Sequence, residues 1–189
     1  MSSFDGQQEG ERILYTITPH AIHKYLAIAR LMFLALFFFI VLWVIGGIVP
    51  AITTVLRFTG FLLAIILLIV GYWWNLTVFK KSRTYITDRR IIRFDVVSPF
   101  FVTKRALFWN EALKSKAYAS NIFFRSFKIG TIDVEPQLAE HEDVRVPDVY
   151  YFEDLANYID KILFTFKNKP GDIASIKPFV PQPKGQRDL

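Results

Sequence analysis

The sequence predicts two transmembrane helices followed by a small all-β domain, which a single amphipathic helix closes. Three observations predict this architecture. Two uncharged apolar runs lie close together in the first half of the 189-residue chain, a pattern of alternating apolar residues follows them, and a helical pattern comes near the end. Apolar residues make up 52% of the chain, which is more than soluble domains usually carry, so part of the chain is expected to lie in lipid.

The two apolar runs are each long enough to cross a membrane. Crossing about 30 Å of hydrocarbon takes roughly 20 helical residues. Residues 31–49 (LMFLALFFFIVLWVIGGIV) and 58–79 (FTGFLLAIILLIVGYWWNLTVF) contain no charged side chain. Only residues 50–57 separate them, so a helical hairpin is expected. A cleaved signal peptide is the alternative for the first run, but the run begins thirty residues into the chain without the basic start of such a peptide.

Basic residues near the ends of the runs predict their orientation, because Lys and Arg beside a span are retained on the cytoplasmic side. The short loop carries only Arg57. Basic residues outside the hairpin are more numerous: Lys24, Arg30, Lys80, Lys81, Arg83, Arg89, Arg90 and Arg93. The expected location is the inner (plasma) membrane, crossed twice, with both termini and the β domain in the cytoplasm. Aromatic residues at 72–74 fit the belt that marks a membrane interface.

Apolar residues alternate with polar ones after the second run, which is typical of β-strands. RTYIT (83–87) and RIIRFDVV (90–97) flank Asp88 and Arg89 and predict a tight hairpin. FFVTKRALF (100–108) follows a Ser-Pro turn signal and predicts the next strand. Further strand-like pieces are LKSKAYAS, the broken NIFFRSFKIG, TIDVEP and VRVPDV, and a short alternating piece at Ile13, Tyr15 and Ile17 precedes the first apolar run. Six or seven short antiparallel strands indicate a small barrel or sandwich.

A helical period replaces the alternation near the end of the chain. Apolar residues at Phe152, Leu155, Ile159, Ile162 and Phe166 are spaced by three or four positions and predict one face of an amphipathic helix, which would cover the open end or seam of the strands. The predicted divisions are an N-terminal cytoplasmic segment (1–30), the membrane hairpin (31–79), the β domain with its helix (80–167) and a flexible basic tail (168–189).

Several motifs together resemble a known family. GERILYTITPH (10–20), TYITDRRIIR (84–93), KIGTIDVE (128–135) and the closing helix closely resemble the bacterial membrane-flanked pleckstrin-homology-like (PH-like) domain family, long classed as a domain of unknown function. The resemblance covers about residues 9–167. It implies a strongly bent sheet of about seven strands capped by a C-terminal helix, and a family without established enzymatic activity. In eukaryotic relatives of this fold, basic residues around the first hairpin can bind phosphoinositide headgroups, and the sheet edge can bind peptides.

The basic residues around the first hairpin are candidate lipid-headgroup contacts. Residues 80–93 hold six basic side chains and one acid, and the planar guanidinium of Arg can pair with two phosphate oxygens at once. The simpler interpretations are that Thr87 and Asp88 bond the backbone of their own turn, and that the lysines anchor the end of the span. The candidate residues are Lys80, Lys81, Arg83, Arg89 and Arg90.

No motif predicts an enzyme, a cofactor or a metal site. The chain has no Cys, and no Ser, His and Asp stand in a recognisable nucleophile pattern. His20 and His23 are three residues apart but lack a third ligand nearby, and AEHED (139–143) lacks the Gly and ligand spacing of a calcium loop. Nucleic acid is not an expected partner, because a protein held at the membrane meets anionic lipid first.

Three functions are consistent with these predictions. The first is a membrane-anchored PH-like interaction or scaffold module at the cytoplasmic face, which recruits a protein partner or self-associates. The second is a module that senses anionic lipid headgroups. The third is a component of a small oligomeric channel or transporter, which is disfavoured because the two predicted spans carry no charge to line a pathway.

Overall fold

The computed structural model describes residues 3–138, 140 and 142–181, which form four helices and seven strands together with two 3₁₀ turns. In chain order the elements are β1 (Ile13–Ile17), α1 (Ala21–Ile48), a 3₁₀ turn (Pro50–Ile52), α2 (Thr53–Lys81), β2 (Arg83–Thr87), β3 (Arg90–Ser98), β4 (Phe101–Phe108), β5 (Ala112–Tyr118), α3 (Ile122–Ser126), β6 (Ile129–Pro136), β7 (Val144–Tyr150), α4 (Phe152–Asn168) and a second 3₁₀ turn (Pro170–Ser175).

The chain divides into two compact units. The helical unit consists of Ala21–Lys81 and Val96–Phe101, so it includes the turn between β3 and β4 as well as the two long helices. The β unit takes in the N-terminal segment through His20, Ser82–Asp95 and the chain from Val102 onward. This division differs from the predicted boundaries at residues 30 and 80, because β1 precedes the helices in the chain but hydrogen-bonds to a strand that follows them.

Small residues allow α1 and α2 to pack closely within the helical unit. A Cβ on Gly60 would lie 3.0 Å from Leu42 Cβ, and a Cβ on Gly71 would lie 2.5 Å from a methyl group of Leu31. Close approach at small residues is how helices associate when the solvent is as apolar as their side chains. Ala35 is also buried, with 2% of its surface exposed.

Most of the remaining surface of α1 and α2 is apolar and exposed. Both helices are long and apolar enough to cross a membrane, and in their most apolar 18-residue windows only 11% and 6% of the residues are buried. α1 contains the predicted run 31–49 except for Val49, and α2 contains the run 58–79; α1 begins before its run and α2 extends past both ends of its run, into residues with charged side chains. Hydropathy identifies the part of a helix that suits lipid, whereas the helix itself continues as long as its backbone hydrogen bonds do. Hydropathy therefore could not predict where the helices begin and end.

The β unit consists of two antiparallel sheets, confirming the predicted number of strands and their antiparallel arrangement. One sheet has the order β1-β2-β3-β4 and the other the order β5-β6-β7. The predicted hairpin around Asp88 is present, with Ile86 opposite Ile91 and Arg83 opposite Phe94. β1 lies antiparallel to β2 on its other side, with Ile17 opposite Thr84. The N-terminal alternation thus belongs to the sheet.

α4 completes the core of the β unit along the predicted face. Four of the five predicted apolar positions (Phe152, Leu155, Ile159 and Ile162) are at most 4% exposed, and the fifth is partly buried against the same core. Residues from both sheets share this core, and so does the fully buried Trp109 in the turn between β4 and β5. The predicted C-terminal helix and its apolar stripe are therefore confirmed.

The segment that follows α4 is docked on the β unit at residues 173–179, whereas a flexible tail was expected over 168–189. Ile176 is buried, and the backbone N–H of Phe179 donates to the carbonyl oxygen of Leu14 in β1 at 3.2 Å. The guanidinium of Arg12 donates to the carbonyl oxygens of residues 173, 174 and 176. Apolar residues among the prolines therefore hold this segment in place. Residues 182–189 of the expected tail lie outside the described residues.

Candidate functional site

The five candidate headgroup residues do not form one cluster. Lys80 and Lys81 end α2 in the helical unit, while Arg83 begins β2 in the β unit. Arg89 lies in the turn at the far end of β2, and at about 3.3 Å per residue four steps of that strand separate its ends by about 13 Å. Arg83 and Arg89 thus lie at opposite ends of the same hairpin.

Arg90 is part of the interior of the β unit rather than its surface. It is 7% exposed, and its guanidinium donates from Nε to Glu11 Oε1 and from Nη2 to Glu11 Oε2, both at 2.9 Å. Nη2 also donates to the carbonyl oxygen of Gly6 at 2.8 Å. Because these bonds engage the guanidinium inside the fold, we exclude Arg90 from the candidate headgroup contacts.

Thr87 joins this buried pair to the hairpin turn. Its hydroxyl donates to Glu11 Oε1 at 2.8 Å, and its oxygen accepts from the backbone N–H groups of Arg89 and Arg90 at 3.2 Å and 3.0 Å. The indole Nε1 of Trp109 donates to the Thr87 carbonyl at 2.9 Å. The structural interpretation of Thr87 is thereby confirmed. Asp88 Oδ1 instead accepts from the backbone N–H of Arg12, so it ties the turn to the segment before β1.

The electrostatics of Glu11 show that the network favours its charged form. Burial raises the pKa of the Glu11 carboxyl, but hydrogen bonds from the Arg90 guanidinium, the Gln8 backbone N–H and the Thr87 hydroxyl, together with the charge of Arg90, outweigh burial and hold that pKa below its usual value. Sequence reasoning missed Glu11 as a partner because it lies 79 residues before Arg90. Charged side chains are rarely buried unless they are paired, so the burial of either one indicates such a partner.

Three exposed apolar side chains lie around α3, and we call Ile122, Phe123 and Phe127 the α3 patch. They are 85%, 58% and 51% exposed. The rings of Phe123 and Phe127 lie 4.7 Å apart, so they form one surface. Asn121 holds the start of the helix by accepting from the Phe124 backbone N–H at 2.9 Å.

A cleft of about 430 Å³ lies beside the α3 patch, between α3, the end of β5 and the start of α4. Its walls combine apolar and charged groups, and they include Ala117, Tyr118, Ile122, Arg125, Phe152 and Glu153. A volume of this order lies in the range of ligand-sized pockets. A side chain that enters the cleft would meet both an aromatic wall and groups able to hydrogen-bond.

Sequence reasoning missed the patch and the cleft because NIFFRSFKIG was interpreted as a broken strand. The segment instead forms a five-residue helix followed by β6. One signal was present in the sequence: Ile122, Phe123 and Phe124 are consecutive, so they do not alternate as the side chains of a half-buried strand do. Asn121 before them is a good N-cap residue.

Comparison with family models, with curated proteins and with solved structures finds no match for this chain. The fold and the surfaces described above define its class as a small two-sheet β unit joined in one chain to a hairpin of two long apolar helices. Among the described residues, no group of three or more His, Cys, Asp or Glu side chains could hold a metal ion.

Proposed function

We propose that this protein is a membrane-anchored docking module with a PH-like fold. The helical hairpin would cross the inner (plasma) membrane twice, and the β unit, with both chain termini, would lie on the cytoplasmic side. There the α3 patch and its cleft would bind a protein partner. The observation that carries the proposal is the α3 patch, where three exposed apolar side chains of the β unit lie beside a cleft.

The uncovered apolar surface of α1 and α2 supports the anchor. Water disfavours apolar surface by roughly 25 cal/mol per Å², so two helices of 28 and 29 residues with mostly exposed apolar side chains would aggregate in water. Lipid removes that penalty. The orientation is supported by the distribution of basic residues, since only Arg57 lies near the short connection and Lys80 and Lys81 end α2.

The α3 patch has side chains that suit the apolar core of a protein–protein interface. Phe is among the residues enriched at such interfaces, and a fully buried Phe or Ile contributes about 1.5–3 kcal/mol relative to an exposed one. Phe123 and Phe127 already contact each other, so little side-chain freedom remains to be lost when a partner covers them. Arg125 beside them can pair with an acidic group on the partner, which supplies orientation.

Specific headgroup sensing has weaker support than protein docking. Arg90 is engaged with Glu11, and Arg83 and Arg89 lie at opposite ends of a hairpin, so these arginines do not surround one phosphate. The exposed basic residues at the end of α2 would still be attracted to anionic lipid, by roughly 1 kcal/mol each near the surface. That attraction would depend on charge and not on the identity of the headgroup.

Crosslinking and affinity purification of the full chain from its own membranes test the proposal. The variant Phe123→Ser/Phe127→Ser removes the aromatic part of the patch, and Phe164→Ser is the matched control, since Phe164 is 61% exposed on α4. We expect the wild type and the control to recover the same partner and the double variant to lose it. A partner that is a second copy of the chain would show that the docking is self-association. Identical recovery by all three proteins, or recovery of the chain alone as a monomer, would refute the proposal.

A further inference from the structure

A second exposed apolar surface lies at the turn between β3 and β4, and we call residues 97–101 the hairpin tip. Val97, Phe100 and Phe101 are 76%, 73% and 73% exposed. The Ser98 hydroxyl oxygen accepts from the backbone N–H groups of Phe100 and Phe101, at 3.4 Å and 3.2 Å, so the turn has a defined shape. The tip therefore holds three large apolar side chains in place without covering them.

The hairpin tip is fixed against the end of α2, within the helical unit. The ring of Phe100 lies 6.2 Å from that of Trp73 and 6.4 Å from that of Trp74. On the next turns of the same helix, Lys81 Nζ donates to the carbonyl oxygen of Pro99 at 2.7 Å. The tip is thus beside Trp73 and Trp74 in the C-terminal part of α2 and beside Lys81 at its end.

We propose that the hairpin tip inserts into the interfacial layer of the same leaflet that surrounds the end of α2. The inference rests on the membrane anchoring in the proposed function, but it does not depend on the α3 patch. Trp residues at the end of a span lie at the level of the lipid headgroups, and Phe100 contacts two of them. Phe100 is therefore at the same depth, with Val97 and Phe101 on the same short turn.

The chemistry of the tip fits the boundary between headgroups and acyl chains. Its apolar side chains suit the acyl side, whereas Ser98 and the Lys81 ammonium suit the headgroup side. In its contact with the tip, the Lys81 ammonium donates to a carbonyl oxygen and not to a carboxylate, so its positive charge is available to lipid phosphate. The bilayer is consequently the occupant that both the apolar and the charged groups indicate.

Insertion of the tip would give the β unit an additional attachment to the membrane. The chain already links the β unit to the helices twice, between β1 and α1 and between α2 and β2. β3 and β4 run from the tip into the β unit as a continuous pair of strands. An inserted tip would therefore restrict the motion of the β unit beyond what these two links do, and would limit the directions in which its docking surface can face.

Single-cysteine labelling of the full chain in lipid vesicles tests the inference, because the natural sequence contains no Cys. Val97→Cys and Phe101→Cys would carry an environment-sensitive fluorophore at the tip. Ile66→Cys reports on the apolar part of α2, and Leu113→Cys, at 51% exposure on β5, is the water-exposed control. The measurements are quenching by lipids with a nitroxide on the upper acyl chain and quenching by iodide in the water, in vesicles of neutral and of anionic composition.

We expect lipid nitroxide to quench both tip labels severalfold more than the Leu113 label, and iodide to do the reverse. If the label at 66 is quenched by lipid and the tip labels behave like the label at 113, the anchoring stands and the inference is overturned. If the tip labels are shielded from both quenchers, protein and not lipid covers the tip, which also overturns it. Absence of lipid quenching at 66 would refute the anchoring and the inference together.

Discussion

Removing Arg90 should destabilise the β unit far more than removing the neighbouring Arg89. Arg90→Ala deletes two charge-assisted bonds to Glu11 and leaves that carboxylate buried, with 0% of its side chain exposed. Breaking a buried ion pair in this way costs about 3–5 kcal/mol of the free energy of unfolding. The total free energy of unfolding of a domain is typically about 5–15 kcal/mol, so this loss should be a large part of its stability.

Arg89→Ala is the matched control, because Arg89 is exposed and its Nη1 has a single side-chain bond, to Gln8 at 3.1 Å. Its expected effect is within about 0.5 kcal/mol. The assay is hydrogen exchange of the β-unit amides in the full chain held in a bilayer or detergent, which reports the free energy of opening for β2 and β3. The double variant Glu11→Gln/Arg90→Met should recover part of the loss, because neither charge is then left unpaired. Equal effects of Arg89→Ala and Arg90→Ala would refute the structural role of Arg90.

Three further predictions concern the β unit. Hydrogen bonds hold the pKa of Glu11 below its usual value, so the wild type should lose stability as the pH falls from that usual value through the folded-state pKa. Glu11→Gln should lack this part of the pH dependence when stability is measured by denaturant titration. Gly130→Ala should lower the free energy of unfolding by about 1–3 kcal/mol, measured by thermal unfolding, because its Cβ would lie 2.5 Å from the buried Phe152 ring. Gly171→Ala is the control and should be nearly neutral, because its Cβ would meet nothing within 4 Å. Equal effects of the two substitutions would contradict the packing. Burial raises the pKa of Tyr158 to about 12, and its hydroxyl donates to the carbonyl oxygen of Lys177 in the docked C-terminal segment at 2.7 Å. Tyr158→Phe should therefore speed amide hydrogen exchange in that segment, and unchanged exchange would contradict the docking.

Local periodicity predicted the elements whose signals are local. The two apolar runs, the hairpin around Asp88 and the helix from Phe152 each show their pattern within one short stretch of sequence. The apolar face of that helix was predicted for the same reason, since a spacing of three and four positions determines which residues share a side.

Long-range pairing could not be predicted in the same way. Glu11 and Arg90 are 79 residues apart, and nothing near either residue indicates the other. β1 pairs with β2, which follows the helical hairpin in the sequence. The N-terminal segment through His20 therefore belongs to the β unit. The docked segment around Ile176 was missed because its prolines suggested a flexible tail, while its apolar residues fill positions that only the folded sheet creates.

The candidate site shows the same limit. A count of basic residues predicted a cluster at 80–90, but the direction of each side chain depends on where it falls in the hairpin. Arg89 and Arg90 are adjacent in the sequence, yet one is exposed in the turn and the other is buried in the first position of β3. Their difference comes from the position of the turn and from the pairing of Arg90 with Glu11, so net charge alone could not separate them.

The most direct test of the central claim is the topology of the chain in intact cells, measured with a membrane-impermeant maleimide on single-cysteine variants. Ala51→Cys lies in the short connection between α1 and α2, and Ser120→Cys lies next to α3 in the β unit; both positions are exposed. A membrane-anchored docking module with its β unit in the cytoplasm predicts labelling of Ala51→Cys from outside and labelling of Ser120→Cys only after the membrane is permeabilised. Labelling of Ser120→Cys in intact cells, or labelling of neither position until the membrane is opened, would contradict the account.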